Sequence, residues 1–192
     1  MPKTEIEFVP DFEFEGDEGI TAEQMDNIVD KVMQCPSWDA WESGKKGMRS
    51  VIIDIDGTLS NCVPRLEFDS SNKLNWEKFF KGMENDLPNE WCVRLAQIYY
   101  KMGFIVYIVT GRPSEYMDVT KKWLDKWSVP YDFLYMREEG DYRKDDVVKR
   151  DILHALLPKK ELIEFVVDDR QVVVDMWRDE GLTCLQCKPH AE

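Results

Sequence analysis

A short apolar run that ends in two carboxylates constrains the fold of this sequence more than any other stretch. Residues 51–59 read VIIDIDGTL, and the β-branched residues at the start of this run are typical of a buried strand. Asp54 and Asp56 lie two positions apart, so they would share one face of a continuing strand, and Gly57 allows a sharp turn after them. Carboxylates at the mouth of a buried strand are costly unless a cation or strong donors hold them. The stretch therefore predicts a catalytic or metal-binding site or, more simply, a strand that runs into an acidic turn.

Strands and helices alternate along the rest of the chain. Apolar residues at helical spacing, with Pro or Gly at the ends, separate short runs that favour strands. This pattern predicts an α/β fold with a central parallel sheet between two layers of helices. Strands are expected at 51–55, 104–109, 132–136, 162–167 and 182–186, and helices at 88–102, 114–130, 145–158 and 171–180. Ligands of such sheets gather at the carboxyl ends of the strands, where this sequence carries Asp54, Asp56, Thr110, Asp168 and Asp169.

Two segments lie outside this alternation. Residues 1–50 are predicted to form an acidic N-terminal arm and a helix that begins at a capping-box pattern, and residues 51–192 to form the main domain. Within that domain, residues 60–87 are too few for a further domain and suit a small cap over the strand ends. Trp76, Phe79 and Phe80 of this insertion could stack on a nucleobase. Attachment of the insertion to its domain is the commoner role of such a cluster and the favoured one.

Composition and charge exclude several classes of protein. Hydrophobic residues make up 43% of the chain, which is a globular composition. No apolar run approaches the ~20 residues that span a bilayer, and the N-terminus has no basic segment followed by an apolar stretch, so a soluble cytosolic protein is expected. The formal net charge of −13 argues against an extended interface with duplex nucleic acid. It leaves room for a local basic pocket that binds one phosphate.

The five cysteines do not form an obvious disulfide framework. An odd number of cysteines without a secretory signal indicates reduced thiols. Cys184 and Cys187 have the spacing of zinc ligands, and His190 lies nearby, but no second cysteine pair accompanies them. A short terminal strand with a half-buried thiol is therefore the preferred interpretation.

Four motifs in order resemble those of the haloacid dehalogenase superfamily of phosphotransferases. They are the run that begins at Asp54, the Thr110-Gly-Arg112 sequence after the second strand, Lys149, and the Asp168-Asp169 pair after a later strand. The resemblance implies a HAD-like Rossmannoid three-layer fold with a small cap insertion. It leaves a non-enzymatic binding module as the remote alternative to an enzyme.

Phosphoryl transfer gives each motif a role. Asp54 would attack phosphorus to form an aspartyl-phosphate, and Asp56 would protonate the leaving alkoxide and then activate water. Thr110 and backbone donors near Gly111 would hold the phosphate oxygens, while Lys149 would offset negative charge. Mg²⁺ is expected to neutralise the approaching charges. Its oxygen ligands would come from Asp54, the Asp56 backbone and Asp169, with Asp168 orienting that shell.

Residues 51–187 resemble more specifically the 3′-phosphatase domain of phage polynucleotide kinases. The most specific matching stretches are residues 137–149 (REEGDYRKDDVVK) and 168–177 (DDRQVVVDMW). The resemblance implies that Arg65 and Arg112 contact the phosphate or substrate and that Asp145 organises the site. It also implies 3′-phosphorylated nucleic-acid ends or nucleoside 3′-monophosphates as substrates.

Two departures from the phage enzymes leave the substrate open. The first is that only the acidic residues 1–50 precede the match, so this sequence contains no kinase half. The second is the aromatic insertion together with the strong acidity. A 5′-nucleotidase that acts on free (deoxy)mononucleotides is the alternative. If the protein is phage-encoded, the host cytoplasm is its expected location.

Overall fold

The computed structural model describes residues 49–66, 75–156 and 160–187, which all belong to one compact unit, Pro36–Glu192. The predicted N-terminal arm and helix and the possible zinc ligand His190 lie outside the described residues. The domain boundary near residue 50 therefore stays a prediction. Among the described residues, no helix has the length and apolar character needed to cross a membrane, and no disulfide joins the cysteines.

A parallel sheet of five strands forms the centre of the domain, in the order β5-β4-β1-β6-β7. β1 is the middle strand, and its Ile53 lies opposite Ile108 of β4 and Val167 of β6. The strands are β1 (Ser50–Ile53), β2 (Ser60–Asn61), β3 (Leu87–Pro88), β4 (Ile105–Pro113), β5 (Phe133–Arg137), β6 (Ile163–Asp168) and β7 (Cys184–Gln186). The helices are α1 (Trp76–Phe80), α2 (Glu90–Lys101), α3 (Met117–Lys126), α4 (Asp145–Leu156) and α5 (Gln171–Asp179).

Helices cover both faces of the sheet because alternate strand residues are apolar on each side. On one face Ile52 and Val166 are buried in a cluster with residues of α4 and α5, including the fully buried Trp177. On the other face Tyr99 of α2 packs edge-on against Phe165 of β6. The prediction of an α/β fold with a central parallel sheet is confirmed, and each predicted main strand and helix is present with shifts of a few residues at its ends.

The insertion at residues 60–87 contains structure that the sequence did not predict. β2 and β3 pair antiparallel at its two ends, and the short helix α1 lies between them. Phe79 of α1 is buried, and its neighbour Phe80 stacks on Tyr116, so the aromatic cluster attaches the insertion to the domain as expected. Residues 67–74 of the insertion lie outside the described ranges.

Candidate active site

The carboxyl ends of three neighbouring strands bring the predicted site residues together. Asp54 follows β1, Thr110 and Arg112 lie in the last part of β4, and Asp168 ends β6. Since β4 and β6 flank β1 in parallel, these residues meet at one edge of the sheet. Their side chains are all buried, so this edge, called the crevice below, carries a buried polar cluster rather than an exposed acidic surface.

Lys149 lies at the centre of a group of buried carboxylates. Its ammonium nitrogen lies 2.8 Å from Oδ1 of Asp54 and 2.8 Å from Oδ2 of Asp168. It also lies 3.7 Å from Oδ2 of Asp145, one turn earlier on α4. Trp177 donates its indole N–H to Oδ2 of Asp168 over 3.2 Å. Asp145 also pairs with Arg137 and Arg170, whereas Asp54 and Asp168 share the one ammonium and so leave an excess of negative charge.

Burial and this excess of negative charge together set the pKa values of the side chains in the crevice. Burial raises the pKa of Asp54 well above its ordinary value; Lys149 opposes the rise, and the charge of Asp168 adds to it. Burial alone would lower the pKa of Lys149, but Asp168 and Asp54 outweigh it and raise that pKa well above the usual range. Lys149 is therefore a permanent cation, and a second cation would favour ionised Asp54.

Three of the carboxylates can hold that second cation. Asp54, Asp168 and Asp169 each offer an oxygen, and these oxygens lie within 4.8 Å of one another. Hard oxygen donors are the ligands that Mg²⁺ prefers, so the residues present fit the predicted metal. Asp168 also accepts hydrogen bonds from Lys149 and Trp177 through Oδ2, and whether it binds the metal or orients the other ligands stays a prediction.

Asp56 does not join the carboxylate group but lies between two arginines. Arg112 donates to both of its oxygens, from Nε to Oδ2 over 2.8 Å and from Nη2 to Oδ1 over 2.7 Å. Arg65 donates from Nη2 to the same Oδ1 over 2.7 Å. Burial would raise the pKa of Asp56, but Arg112 and then Arg65 outweigh it and lower the pKa to about 2. Asp56 is thus ionised near neutral pH in this arrangement.

Asp86 is a site residue that sequence reasoning missed. Its two oxygens each accept a hydrogen bond from Arg65, at 2.7 Å from Nε to Oδ1 and 2.7 Å from Nη2 to Oδ2. Its Oδ2 lies 3.8 Å from Nη2 of Arg112, and its backbone oxygen accepts the indole N–H of Trp123 at 2.9 Å. Asp86 therefore fixes the guanidinium that contacts Asp56. No motif marks it, because the burial of the two arginines that require a further carboxylate is visible only in the structure.

Gly111 and Asp145 form a close contact beneath the crevice. A Cβ atom on Gly111 would lie 2.2 Å from Oδ1 of Asp145, so only glycine fits there. Arg137, which was not singled out from the sequence, donates from Nε to the Gly111 oxygen at 2.9 Å and from Nη2 to Asp145 at 3.1 Å. The backbone N–H of Arg112 donates to Oγ1 of Thr110 over 3.3 Å. Asp145 is thus fixed by Arg137 next to Gly111, and its role as organiser of the site stays a prediction.

Residues 48–191 match the family described as the polynucleotide kinase PNKP phosphatase domain. A provisionally named bifunctional polynucleotide kinase/RNA ligase of Autographa californica nuclear polyhedrosis virus is 29% identical over 138 residues, which cover 71% of this chain and 19% of the viral protein. The chain therefore spans about a fifth of the length of that curated relative.

Solved structures share the fold. A chain of the Pnkp1/Rnl/Hen1 RNA repair complex is 32% identical with a TM-score of 0.63, over 77% of this chain and 45% of that one. A structure described as a predicted phosphatase from Clostridium acetobutylicum has a TM-score of 0.57 at 14% identity, over 73% of this chain and 84% of that one. The second likeness concerns the fold alone.

Proposed function

The chain belongs to the family of polynucleotide kinase PNKP phosphatase domains, and from this premise we propose that it is a Mg²⁺-dependent 3′-phosphatase that acts through an aspartyl-phosphate at Asp54. The family confirms the prediction of a phosphatase of the haloacid dehalogenase superfamily. The metal, the covalent intermediate and the substrate are the proposal.

One observation carries the covalent mechanism: Asp54 is a buried carboxylate at the carboxyl edge of the sheet, and a buried ammonium contacts it. Its Oδ1 lies 2.8 Å from the Lys149 ammonium, which can offset charge as the nucleophile approaches an anionic phosphate. Asp56 lies two residues away between Arg65 and Arg112. A nucleophile and a separate proton-transfer group are thus available on the same loop.

The reaction then has two steps. An oxygen of Asp54 bonds to phosphorus while the bond from phosphorus to the leaving oxygen breaks, and Asp56 gives its proton to that oxygen. Water next attacks phosphorus, the bond to Asp54 breaks, and Asp56 takes the proton of the water as inorganic phosphate forms. Asp56 ends the cycle protonated, as it began the first step.

Protonation of Asp56 requires a change from the arrangement described above, in which its pKa is about 2. The anionic oxygens of a bound phosphate compete for the guanidinium groups of Arg65 and Arg112. A carboxyl that loses these donors regains a higher pKa. We infer that substrate binding itself converts Asp56 into a proton donor, which also gives the arginines their predicted contact with phosphate.

Oxygens of Asp54, Asp168 and Asp169, with the backbone carbonyl of Asp56, would hold Mg²⁺, which when bound neutralises charge on the nucleophile and the phosphoryl group. The carboxylate oxygens that lie within 4.8 Å of one another support this ligand set.

The family and one relative support a nucleic-acid end as substrate. The family name and the viral relative both refer to polynucleotide kinases, and a structural relative belongs to an RNA repair complex. The net charge of −13 opposes tight binding of a long polyanion, because few cations are available to displace its counterions. We therefore propose activity on 3′-phosphorylated ends and nucleoside 3′-monophosphates, with little gain in kcat/KM as the oligonucleotide lengthens.

A panel of esters tests the substrate. Phosphate release is measured from matched nucleoside 3′- and 5′-monophosphates and from one oligonucleotide phosphorylated at either end, with Mg²⁺ and with a chelator. Preference for the 3′-esters supports the proposal, whereas a clear preference for the 5′-esters identifies a 5′-nucleotidase and overturns it.

A substitution tests the nucleophile. Asp54→Asn should abolish turnover while the protein stays folded, and Asp118→Asn on the exposed surface of α3 serves as the matched control. Wild-type turnover by Asp54→Asn would contradict the covalent mechanism. Absence of turnover by the wild-type protein with Mg²⁺ would favour a non-enzymatic binding module.

A further inference from the structure

A series of stacked aromatic rings runs from β4 to the surface of the insertion. Phe80 and Tyr116 stack with ring centroids 5.1 Å apart and an interplanar angle of 26°. Trp76 stacks on Phe80 at 5.9 Å and 25°, and Phe79 meets Trp76 edge-on at 5.6 Å. Phe80 therefore stacks between Tyr116 and Trp76.

The series is joined to the candidate active site through Arg65. The guanidinium carbon of Arg65 lies 4.4 Å from the centre of the Phe79 ring, and Nη1 donates to the Phe79 backbone oxygen. The same guanidinium donates to Asp56 over 2.7 Å. Tyr116, at the other end of the series, lies in the short 3-10 turn that follows β4 and its Arg112. The rings thus line the arginine side of the crevice.

Attachment of the insertion accounts for Phe79 but not for Trp76. Phe79 is 6% exposed, whereas Trp76 is 52% exposed at the end of the stacked series. A large side chain that serves packing alone gains stability by burying its surface. Trp76 leaves about half of its surface to solvent, one ring beyond the arginine that contacts Asp56.

We propose that Trp76 is the stacking surface for the nucleobase of the nucleoside whose 3′-phosphate occupies the crevice. This inference rests on the proposed function. Trp76 is the last ring of the series and is half exposed, so it offers room for one base. Stacking on an indole face tolerates every base, since each base has a π-face. Only the Phe79 ring separates Arg65 from Trp76, so a base stacked on Trp76 would lie one ring beyond a phosphate held by Arg65. The insertion would then contribute to binding of the nucleoside and not to the chemistry.

Matched substrates separate stacking from catalysis. Wild type, Trp76→Leu and Trp76→Phe are compared on adenosine 3′-monophosphate and on glycerol phosphate, which has no base. We expect Trp76→Leu to lower kcat/KM for the nucleotide about fivefold or more beyond any loss on glycerol phosphate, and Trp76→Phe to restore most of it. Phe133→Leu is the control, because Phe133 is 45% exposed and stacks on Tyr135 at the amino end of β5, away from the crevice.

Measuring nucleotide binding in a variant that cannot turn over substrate tests the role of Trp76 separately from the proposed function. Calorimetry gives the Kd of adenosine 3′-monophosphate for Asp54→Asn and for Asp54→Asn combined with Trp76→Leu, and the double variant should bind about fivefold more weakly or worse. Equal affinity of the two proteins, or equal losses of kcat/KM on both esters, would overturn the stacking role. If the wild-type protein hydrolyses glycerol phosphate but no 3′-nucleotide, the proposed function is overturned. The comparison of Kd values would still decide whether Trp76 stacks on the base.

Discussion

The ammonium of Lys149 lies 2.8 Å from Oδ1 of Asp54, although the two residues are 95 positions apart. The contact joins the loop after β1 to the second turn of α4, and both side chains are buried. Asp168 shares the same ammonium at 2.8 Å. Lys149 is therefore the cation that makes the burial of these carboxylates possible.

Lys149→Met should destabilise the protein by about 3–5 kcal/mol, because it leaves buried charges without their partner. Adding Asp54→Asn should recover part of that loss, since it removes one of the carboxylates that lost the partner. Urea unfolding of the two single variants and the double variant measures this coupling, with Lys121→Met on the exposed surface of α3 as the control. Losses that simply add would show that the 2.8 Å contact carries little free energy.

Arg112→Lys should lower kcat/KM at least tenfold, equivalent to about 1.4 kcal/mol of transition-state stabilisation. The reason is geometric: the guanidinium that holds both oxygens of Asp56 in this structure can bind two oxygens of a substrate phosphate in the same forked way, and a lysine cannot. Arg65→Lys should have a similar effect, because Arg65 bridges Asp56 and Asp86. Arg143→Lys is the control, since Arg143 pairs with Asp141 at the exposed surface. If Arg112→Lys and Arg65→Lys both keep near-normal kinetics, a guanidinium with two donors is not required at these positions.

Asp86→Asn tests a positioning role for a residue that does not face the proposed nucleophile. Loss of the carboxylate charge should loosen Arg65 and lower kcat/KM about tenfold. The loss should be much smaller in a protein that already carries Arg65→Lys, because both changes disturb one contact. Glu84→Gln, an exposed change in the same segment, should leave kinetics unaltered. Full additivity of Asp86→Asn and Arg65→Lys would assign Asp86 a separate, purely structural role.

Asp56 should make stability depend on pH in the acid range. Burial would raise its pKa, but Arg112 and Arg65 lower it from 3.8 to about 2. The folded state thus binds the proton less tightly than the unfolded state, so the stability contributed by ionised Asp56 is full above pH 3.8 and is lost as pH falls through about 2. The shift corresponds to about 2 kcal/mol.

The measurement compares wild type with Asp56→Asn across that range. The difference between their free energies of unfolding should stay constant above about pH 5 and narrow by about 2 kcal/mol as pH falls toward 2. A difference that stays constant across this pH range would mean that the arginines do not hold the pKa of Asp56 low.

The parts of the site that lie in local patterns could be predicted from the sequence. The apolar run before Asp54 forms β1, and Thr110 and Asp168 meet Asp54 because parallel strands end at one edge. The partners of Arg65 and Arg112 could not be predicted, since which carboxylate meets which guanidinium depends on packing between distant segments. Asp86 has no local signature, and the exposure of Trp76 depends on how α1 lies against Arg65 and Tyr116.

Mg²⁺ should stabilise the folded protein through the carboxylates of Asp54, Asp168 and Asp169. Ligand at about 100 times its Kd adds about 2.7 kcal/mol, which for a domain of this size raises Tm by roughly 5–10 °C. Asp169→Asn should remove most of this rise, because it deletes one anionic ligand from the group. Asp118→Asn should keep the rise in Tm. NaCl at equal ionic strength should not produce the rise, and this control separates specific Mg²⁺ binding from screening of the net charge of −13. A Tm rise as large in Asp169→Asn as in wild type would place the bound Mg²⁺ elsewhere on this acidic protein.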